Sequence, residues 1–556
     1  MSGDPSSAPH RLLWPWLVGM VGLGVVLPLW PALVSGGVPG GGPDVVATLW
    51  GMWWFQQEGA AMPLGGETLL VNHPFGAHGV VLSPLTAGTW AVLEPLVGVG
   101  RASSLVVAGV VLATAAAVGL LARTVGAGWT GATIAAGSML VGRYLLFGAG
   151  EGSVVAISNV PLPLGLAALA WLLRGRGRWG SALALTLCTT AVAAENPYLA
   201  PLLPLVTGAA VTVRAWRARG PDAAGLRALG GAVLGGLGVL GVAAVFGEAA
   251  SPDYPREVAG TLLTLGDWEF TVVDLPWARV RPLEVLWGGA VRWTVDADGG
   301  VAAGGGRTLG VGVLLLAVLG AVLQPRARVW IGLAAVSLVV SLGSLVGDVG
   351  TPFLYLNTLM ASVARPLTQP VRFLAVAQVA LAVAAGLGAE ALHRHRGGHA
   401  AVVILGCLLL ECLLLGAGTL RLPVTDLPEA DCVRDLDPGA ALVLPWDARD
   451  GEPSRSQLLQ LLHGRPGVHP GIASWRQAEE SATEALRSMG VHSTGPRPER
   501  LALGRLDQHG YRWVVVDEEA DPGARAVVRP QLGSPVAECD GFSVFDIRKP
   551  ALGPVD

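Results

Sequence analysis

The chain has 556 residues, of which 52% are hydrophobic and only 14% are charged. Its mean hydropathy of +0.54 exceeds what a soluble domain carries, so the composition predicts a polytopic α-helical membrane protein. The net charge of −4 is too small for a chain of this length to indicate a nucleic-acid partner or a strongly acidic one.

The first predicted element is an apolar run from Arg11 to Val34, which is long enough to span a bilayer. We interpret it as a retained transmembrane helix, because no cleavage site of small residues stands out. Glycines and Pro43 then end this span, and Asp44 takes the position of a helix N-cap. We therefore expect a new helix to begin in the first loop.

The loop helix that follows Asp44 is rich in tryptophan, with Trp50, Trp53 and Trp54 close together. Indole rings favour the headgroup level of a bilayer, so these residues predict a helix lying in the membrane interface. That position holds the lone Asp44 carboxylate near the bilayer surface. Two interpretations stay open: Asp44 caps the helix by accepting backbone N–H groups, or it lies at the rim of an active site.

The next apolar run, 80–100, contains Pro84, Glu94 and Pro95, which are unusual in a spanning helix. Whether this run spans the membrane decides the topology. If this run does not span, every later basic cluster falls on the cytoplasmic side, as the positive-inside rule requires. We therefore predict about eleven transmembrane helices, a cytoplasmic amino terminus and an extracytoplasmic carboxyl terminus. The predicted spans are 12–33, 103–122, 126–148, 154–173, 179–194, 199–213, 225–247, 308–323, 329–347, 371–391 and 400–418.

This topology puts nearly all the unusual polar sequence on the extracytoplasmic side. The outer loops are 35–102, 248–307 and 348–370, and the turns Gly150-Glu151-Gly152 and Glu195-Asn196 face the same way. The cytoplasmic side has only short basic turns. We infer that the protein acts outside the cytoplasm, although charge in the long loop 248–307 is equally typical of a solvated connector.

Ionisable residues near or inside the spans are few, and each can be interpreted as functional or as structural. Arg365 and Arg372, at the outer end of a span, can grip a lipid phosphate or simply extend to the headgroups. Glu411 lies within an apolar helix, where it is either structural or functional. Glu151, in the turn after a predicted span, is most simply explained as the salt-bridge partner of Arg143, which lies toward the outer end of that span.

From about Arg421 the composition becomes that of a soluble domain. Segments 441–447, 511–519 and 542–548 predict strands, with helical patterns between the first two, so residues 421–556 predict a small α/β domain. Its two cysteines, Cys432 and Cys539, are allowed to pair outside the cytoplasm, but the sequence does not decide whether they do. The remaining domains are a tail, 1–11, and a transmembrane domain, 12–420.

Several of these segments together resemble the bacterial type C glycosyltransferases (GT-C), integral-membrane enzymes, and in particular an uncharacterised branch. The resemblance is carried by Asp44 with its Trp-rich helix and by the segments NHPFGAHGVVLSPLTAGTW, GEGSVVAISNVPLPLGLAALAWLLRGR and RPLTQPVRFLAVAQVALAVAAGLG. It continues through Glu411 into AALVLPWD and HGRPGVHPG, so it covers nearly the whole chain.

The resemblance implies inverting transfer of a sugar, hexosyl or pentosyl, from a polyprenyl-phosphate donor to a cell-envelope glycan, lipid or protein. It implies catalytic roles for Asp44, as general base, and Glu151, as a second acid or acceptor-binding group. The implied substrate-binding residues are Arg372, Arg365, Trp53, Trp54, His73 and Glu195. The location would be the bacterial inner membrane, with the α/β domain on its outer face.

The sequence departs from better-known members by lacking an Asp-x-Asp or Asp-Glu pair near Asp44. A divalent metal cofactor is therefore neither implied nor excluded. Two other functions fit many of the same helices: a non-catalytic envelope-assembly protein, and a lipid or solute transporter. The transporter is disfavoured because the sequence shows no convincing internal repeat and almost no charge at mid-membrane depth.

Overall fold

A computed structural model gives the fold of most of the chain. It describes residues 17–41, 44–58, 66–68, 70, 77–79, 83–153, 157–175, 179–220, 222–249, 261–265, 268–272, 292–295, 301–304, 309–341, 370–396, 398–415, 421–427, 431–434, 436–444, 455–466, 501, 503–518, 523–539 and 541–549. The chain divides into two units. The helical unit contains residues 1–42, 82–244 and 255–425, and the sheet unit contains residues 43–81, 245–254 and 426–556.

Helices dominate the chain, because apolar runs in a membrane must satisfy their backbone hydrogen bonds internally. In chain order they are α1 (Leu17–Ser35), α2 (Asp44–Glu58), α3 (Pro84–Val97), α4 (Val99–Val125), α5 (Trp129–Val141), α6 (Arg143–Gly150), α7 (Pro161–Leu173), α8 (Trp179–Glu195), α9 (Leu202–Ala218), α10 (Ala223–Ala249), α11 (Val311–Leu323), α12 (Pro325–Ser341), α13 (Leu374–Arg396), α14 (Gly398–Leu415), α15 (Asp431–Arg434), α16 (Arg455–His463), α17 (Leu503–Gln508) and α18 (Ala524–Leu532). Short 3₁₀ turns cover Pro197–Leu199 and Pro370–Phe373.

Strands are short and mostly form hairpins. They are β1 (Val38–Pro39), β2 (Gly66–Thr68), β3 (Ala77–Gly79), β4 (Thr261–Leu265), β5 (Trp268–Val272), β6 (Arg292–Val295), β7 (Val301–Gly304), β8 (Val424–Thr425), β9 (Ala440–Leu444), β10 (Tyr511–Asp517), β11 (Ala537–Cys539) and β12 (Phe542–Asp546). The two-stranded pairs β1–β8, β2–β3, β4–β5 and β6–β7 are all antiparallel. A four-stranded sheet has the order β11-β12-β10-β9.

The prediction of a multi-pass membrane protein is confirmed. Among the described residues, six helices are long and apolar enough to cross a membrane: Leu17–Ser35, Val99–Val125, Trp129–Gly150, Pro197–Ala218, Ala223–Val242 and Val371–Arg396. Each of the other predicted spans overlaps a shorter helix, namely α7, α8, α11, α12 or α14. The run predicted not to span forms the 14-residue helix α3. The exact number of crossings stays a prediction.

Helix α13 forms the centre of the helical unit, since every residue from Leu374 to Ala391 is buried. Small residues allow its neighbours to approach closely, as in other membrane helix pairs. A Cβ on Gly386 would lie 2.4 Å from the carbonyl oxygen of Gly131, which is on α5. We infer that glycine is required at this crossing, because the atom it would meet belongs to a backbone.

Two acidic residues in apolar helices cap the amino termini of other helices. The Glu411 carboxylate accepts hydrogen bonds from the backbone N–H groups of Val311 and Gly312, the first residues of α11. The Glu390 carboxylate accepts one from Gly131 N–H, at 3.2 Å, in the first turn of α5. Free N–H groups and the positive end of the helix dipole stabilise such a carboxylate. The structural reading of Glu411 is therefore the one that the geometry favours.

Glu411→Ala is expected to lower the free energy of unfolding by about 2 kcal/mol, because it leaves the N–H groups of α11 without an acceptor in an apolar environment. Glu411→Gln should cost less, since one amide oxygen can still accept. Thermal unfolding of the protein in lipid measures both effects. Leu410→Ala is the control on the same helix, because its side chain is 53% exposed. Equal losses in the three variants would contradict the capping role.

Arginines cap the opposite ends of several helices by donating to terminal carbonyls. Arg174 donates to the carbonyl oxygen of Val125 at the end of α4, and Arg214 donates to that of Leu173 at the end of α7. Cations at these positions also complement the negative end of the helix dipole. These are members of the basic clusters that the topology prediction places in the cytoplasm.

Cysteine labelling tests that topology directly. In a variant without accessible native cysteines, single cysteines at Gly36 and Pro438 are expected to react with an impermeant maleimide added outside, whereas one at Arg176 should react only after permeabilisation. Labelling of the cysteine at position 176 from outside would contradict the assignment of 80–100 as non-spanning.

In the sheet unit, the predicted strands are confirmed as β9, β10 and β12, and β11 is an edge strand that the sequence reading missed. Strand β9 runs parallel to β10, while β12 is antiparallel to both β10 and β11. Alternate side chains pack on two faces, one against α17 and α18 and the other against α15 and α16. Cys432, on α15, forms a disulfide with Cys539 on β11, which answers a question that the sequence left open.

Candidate active site

Four chain segments of the helical unit meet at the ends of apolar helices. Strand β1 leads out of α1 and pairs with β8, with Val38 opposite Thr425. The N–H of Gly41 then donates to the carbonyl oxygen of Gly150 at 2.9 Å. The turn Pro197–Leu199 lies against the turn Pro370–Phe373. The polar residues of these turns form the candidate site in this unit.

Arg372 is the basic residue of the turn Pro370–Phe373, and its side chain is only 7% exposed. Its Nη2 donates to the Ser153 hydroxyl at 3.0 Å, and its guanidinium carbon lies 5.8 Å from the centre of the Tyr198 ring. Arg372 precedes α13 directly, and its predicted position at the outer end of this span stays a prediction. A cation at the amino terminus of a helix opposes the helix dipole, so helix stability does not explain its position.

Two buried asparagines are hydrogen-bonded to each other, and Asn196 directly precedes the turn Pro197–Leu199. Asn196 Nδ2 donates to Asn159 Oδ1 at 3.1 Å, and both residues are 1% exposed. Among the described residues, no group donates to the Asn196 Oδ1 acceptor. Buried amide oxygens are rarely left unpaired, so this atom is available to a hydroxyl of a bound molecule.

Glu195 is also buried, at 2% exposure, but both of its carboxylate oxygens are occupied. Oε1 accepts from the N–H of Leu85 at 2.7 Å, and Oε2 accepts from the hydroxyl of Thr86 at 2.8 Å. Thr86 also shares a hydrogen bond with Ser158 at 3.0 Å. Glu195 therefore fixes the start of α3, and this geometry supports an indirect, positioning role.

Glu151 follows α6 and is half-buried, and its N–H donates to the carbonyl oxygen of Phe147 at 2.9 Å. It lies between Gly150, which receives the Gly41 hydrogen bond, and the segment that contributes Ser153. The side chain of Arg143 is outside the described part of the chain. The predicted Arg143–Glu151 salt bridge thus stays a prediction.

Asp44 belongs to the sheet unit, where it is the first residue of α2. Its half-buried carboxylate has no hydrogen-bond or ion-pair partner among the residues that the structure describes. The sequence reading placed Asp44 at the N-cap, whereas it occupies the first helical turn itself. A carboxylate there is favoured by the helix dipole.

The burial of the tryptophans of α2 differs from the expectation that this helix presents its rings to lipid headgroups. Trp50, Trp53 and Trp54 are 3%, 5% and 0% exposed, so protein covers all three rings. The rings of Trp50 and Trp54 stack with centroids 6.3 Å apart. Trp50 Nε1 donates to Gln460 Oε1 at 2.7 Å. This hydrogen bond satisfies the indole N–H group, which in a lipid-facing helix would bond to water or headgroups at the membrane interface.

Two of the predicted substrate-binding residues, His73 and Arg365, lie outside the described residues. Sequence reasoning missed Ser153, Asn159 and Tyr198, although each is a polar or aromatic residue in a turn between apolar runs. That signal is weak because turns are generally polar. Within the described ranges, no group of three or more His, Cys, Asp or Glu residues is arranged to hold a metal ion.

Comparisons with known proteins add the following. No protein-family model and no curated protein matches the chain. One similar solved structure is the oligosaccharyltransferase AglB from Archaeoglobus fulgidus, in complex with an inhibitory peptide and a dolichol-phosphate. It is 13% identical to this chain, with a TM-score of 0.46, and the match covers 94% of this chain and 71% of AglB. The arabinofuranosyltransferase AftD from Mycobacteria is 18% identical, with 96% and 41% covered and a TM-score of 0.47.

By name, the first of these neighbours is an oligosaccharyltransferase and the second an arabinofuranosyltransferase. At TM-scores of 0.46 and 0.47, however, the likeness assigns no substrate and no catalytic residue to this chain. The chemistry has to be argued from the residues themselves.

Proposed function

We propose that the protein is an inverting glycosyltransferase that moves a sugar from a polyprenyl-phosphate donor to a cell-envelope acceptor. Two charged groups with complementary chemistry support this proposal, and each is described within its own unit. Asp44 offers an unpartnered carboxylate among the described residues, and Arg372 holds a buried cation where a helix dipole disfavours it. Sugar transfer from a phosphate needs one group of each kind.

Asp44 is the proposed general base. The acceptor hydroxyl oxygen forms a bond to the anomeric carbon on the face opposite the phosphate, and its proton passes to the Asp44 carboxylate. The bond between the anomeric carbon and the phosphate oxygen breaks, and that oxygen keeps the electron pair. Attack from the opposite face inverts the anomeric configuration.

Arg372 is the proposed partner of the leaving phosphate. Its guanidinium and the amino terminus of α13 both attract an anion, so their fields add at this point. Ser153 and Tyr198 hold the guanidinium in place at the distances given above. Arg365, seven residues earlier in the chain, is proposed to assist from the preceding loop.

The other site residues have proposed supporting roles. Glu151 is proposed as a second acid or an acceptor-binding group, and its neighbour Gly150 accepts a hydrogen bond from the N–H of Gly41. Trp53, Trp54 and His73 stay proposed substrate-binding residues, and Glu195 is proposed to act through α3.

The proposed location is the bacterial inner membrane, with the site and the carboxyl-terminal sheet on the extracytoplasmic face. A polyprenyl-phosphate sugar, membrane lipid and a glycan, lipid or protein acceptor are the proposed partners. The carboxyl-terminal domain is proposed to help position the acceptor.

A deletion strain tests the function in the cell. Mass spectrometry of its envelope is expected to show one glycan that lacks a sugar and an increased amount of one polyprenyl-phosphate sugar. The wild-type gene should restore both, and a gene encoding Asp44→Asn should restore neither. An unchanged envelope together with unchanged donor levels would favour the two alternative functions, a non-catalytic envelope-assembly protein or a lipid or solute transporter.

A further inference from the structure

The helix that carries Asp44 is attached to the carboxyl-terminal α/β fold by one buried amide. Gln460, on α16, is 0% exposed. Its Oε1 accepts from Trp50 Nε1 at 2.7 Å, and its Nε2 donates to the carbonyl oxygens of Leu70 at 2.6 Å and Arg465 at 3.0 Å. Both amide protons and one acceptor position are thus used, within one unit of the structure.

These hydrogen bonds join segments that are far apart in the chain, with 410 positions between Trp50 and Gln460 and 390 between Leu70 and Gln460. The amide therefore fixes α2 and residue 70 to the same point on α16. Burial makes the arrangement specific, because a rotated α2 would leave an indole N–H and an amide oxygen unpaired in an apolar environment.

Trp50 lies six residues after Asp44, which corresponds to about 9 Å along the helix axis. A change in the tilt of α2 at Trp50 therefore displaces the Asp44 carboxylate. Displacement of a catalytic group by about 1 Å can reduce the rate of a reaction by about 100-fold. The amide is thus in a position to control the geometry of Asp44 without touching the substrate.

We propose that Gln460 is a positioning residue for Asp44, so that α16 of the carboxyl-terminal fold sets the orientation of the helix that bears the general base. This inference rests on the proposed function for its effect on sugar transfer. The anchoring itself does not depend on that function. It also gives the carboxyl-terminal fold a role in the reaction beyond contacting the acceptor.

Hydrogen exchange of the full-length protein in lipid tests the anchoring. In Gln460→Leu, and separately in Trp50→Phe, the backbone amides of α2 are expected to exchange about tenfold faster or more, because buried hydrogen bonds are lost. Gln531→Leu is the matched control. Gln531 accepts from Leu501 N–H at 3.0 Å and donates to the Val527 carbonyl at 2.9 Å in the same unit, without an interaction with α2.

Turnover of a polyprenyl-phosphate sugar provides the second measurement. Both α2-anchor variants are expected to lower kcat about tenfold or more while the KM for the donor stays within about twofold, because the base is displaced and donor binding is not. The control should change neither constant. If Gln460→Leu fails to fold, as shown by loss of the Cys432–Cys539 disulfide, Trp50→Phe decides the question because it keeps Gln460 in place.

The outcomes separate the two proposals. Unchanged α2 exchange in the folded anchor variants, or faster exchange with unchanged kcat, would overturn the positioning role. If the wild-type protein turns over no donor, the proposed function fails, and the exchange measurement alone then decides whether Gln460 anchors α2.

Discussion

Asp44→Asn is expected to reduce sugar transfer by about 100- to 10,000-fold, which is the range that general-base catalysis contributes. Asparagine keeps the size of the side chain and its hydrogen-bonding capacity, but it cannot take up the acceptor proton. The wild-type carboxylate has no partner among the described residues, so the change removes no hydrogen bond between those residues, and we expect the variant to unfold at nearly the wild-type temperature. Initial rates with a radiolabelled donor measure the effect.

The matched control for this change is Glu58→Gln, which removes the same charge from the last residue of the same helix. It is expected to retain the wild-type rate of transfer. Full activity of Asp44→Asn would mean that another group is the base, and Glu151→Gln would then be the next variant to measure. Loss of activity in both Asp44→Asn and Glu58→Gln would indicate a general effect of charge on α2.

Arg372→Gln is expected to lower kcat/KM for the donor by about 100-fold or more, since removal of one preorganised donor to a developing anion typically has an effect of this size. The leaving phosphate would lose the charge that stabilises it. Arg372→Lys should recover only part of the loss, because an ammonium cannot bond a phosphate through two parallel N–H groups.

Arg328→Gln serves as the control for Arg372, because Arg328 is exposed and donates to the carbonyl oxygen of Ala321 at 3.0 Å. Its rate of transfer should equal that of the wild type. An Arg372→Gln variant with normal kcat/KM but a lower unfolding temperature would show that the arginine has a structural role only.

The membrane-embedded part of the fold was predictable because its main determinant is local. A run of apolar residues in a membrane forms a helix, because the helix satisfies its own backbone hydrogen bonds, whereas the orientation inferred from the basic turns stays a prediction. The same holds for β9, β10 and β12, whose residues are nearly all apolar or alternate in polarity. Edge strand β11 has only three residues, AEC, and depends on β12 for its pairing, so no local pattern identified it.

Contacts between distant parts of the chain, including those of the site, were harder to predict than the helices and strands. Glu411 caps a helix that begins 100 positions earlier, and Arg372 reaches Ser153 across 219 positions. No periodic pattern encodes such pairs. The tryptophans of α2 show the same limit: their composition indicates a membrane interface, yet a single glutamine 410 positions away supplies the partner for Trp50.

The measurement that tests the central claim most directly is turnover of radiolabelled polyprenyl-phosphate sugars by the purified protein in lipid vesicles. A panel of hexosyl and pentosyl donors is supplied with envelope acceptors, and the free polyprenyl phosphate and the labelled acceptor are quantified. We predict that the wild-type protein consumes at least one donor and forms both products in equal amounts, and that Asp44→Asn forms neither. Absence of turnover with every donor, in a protein that is folded and reconstituted, would contradict the assignment as a glycosyltransferase.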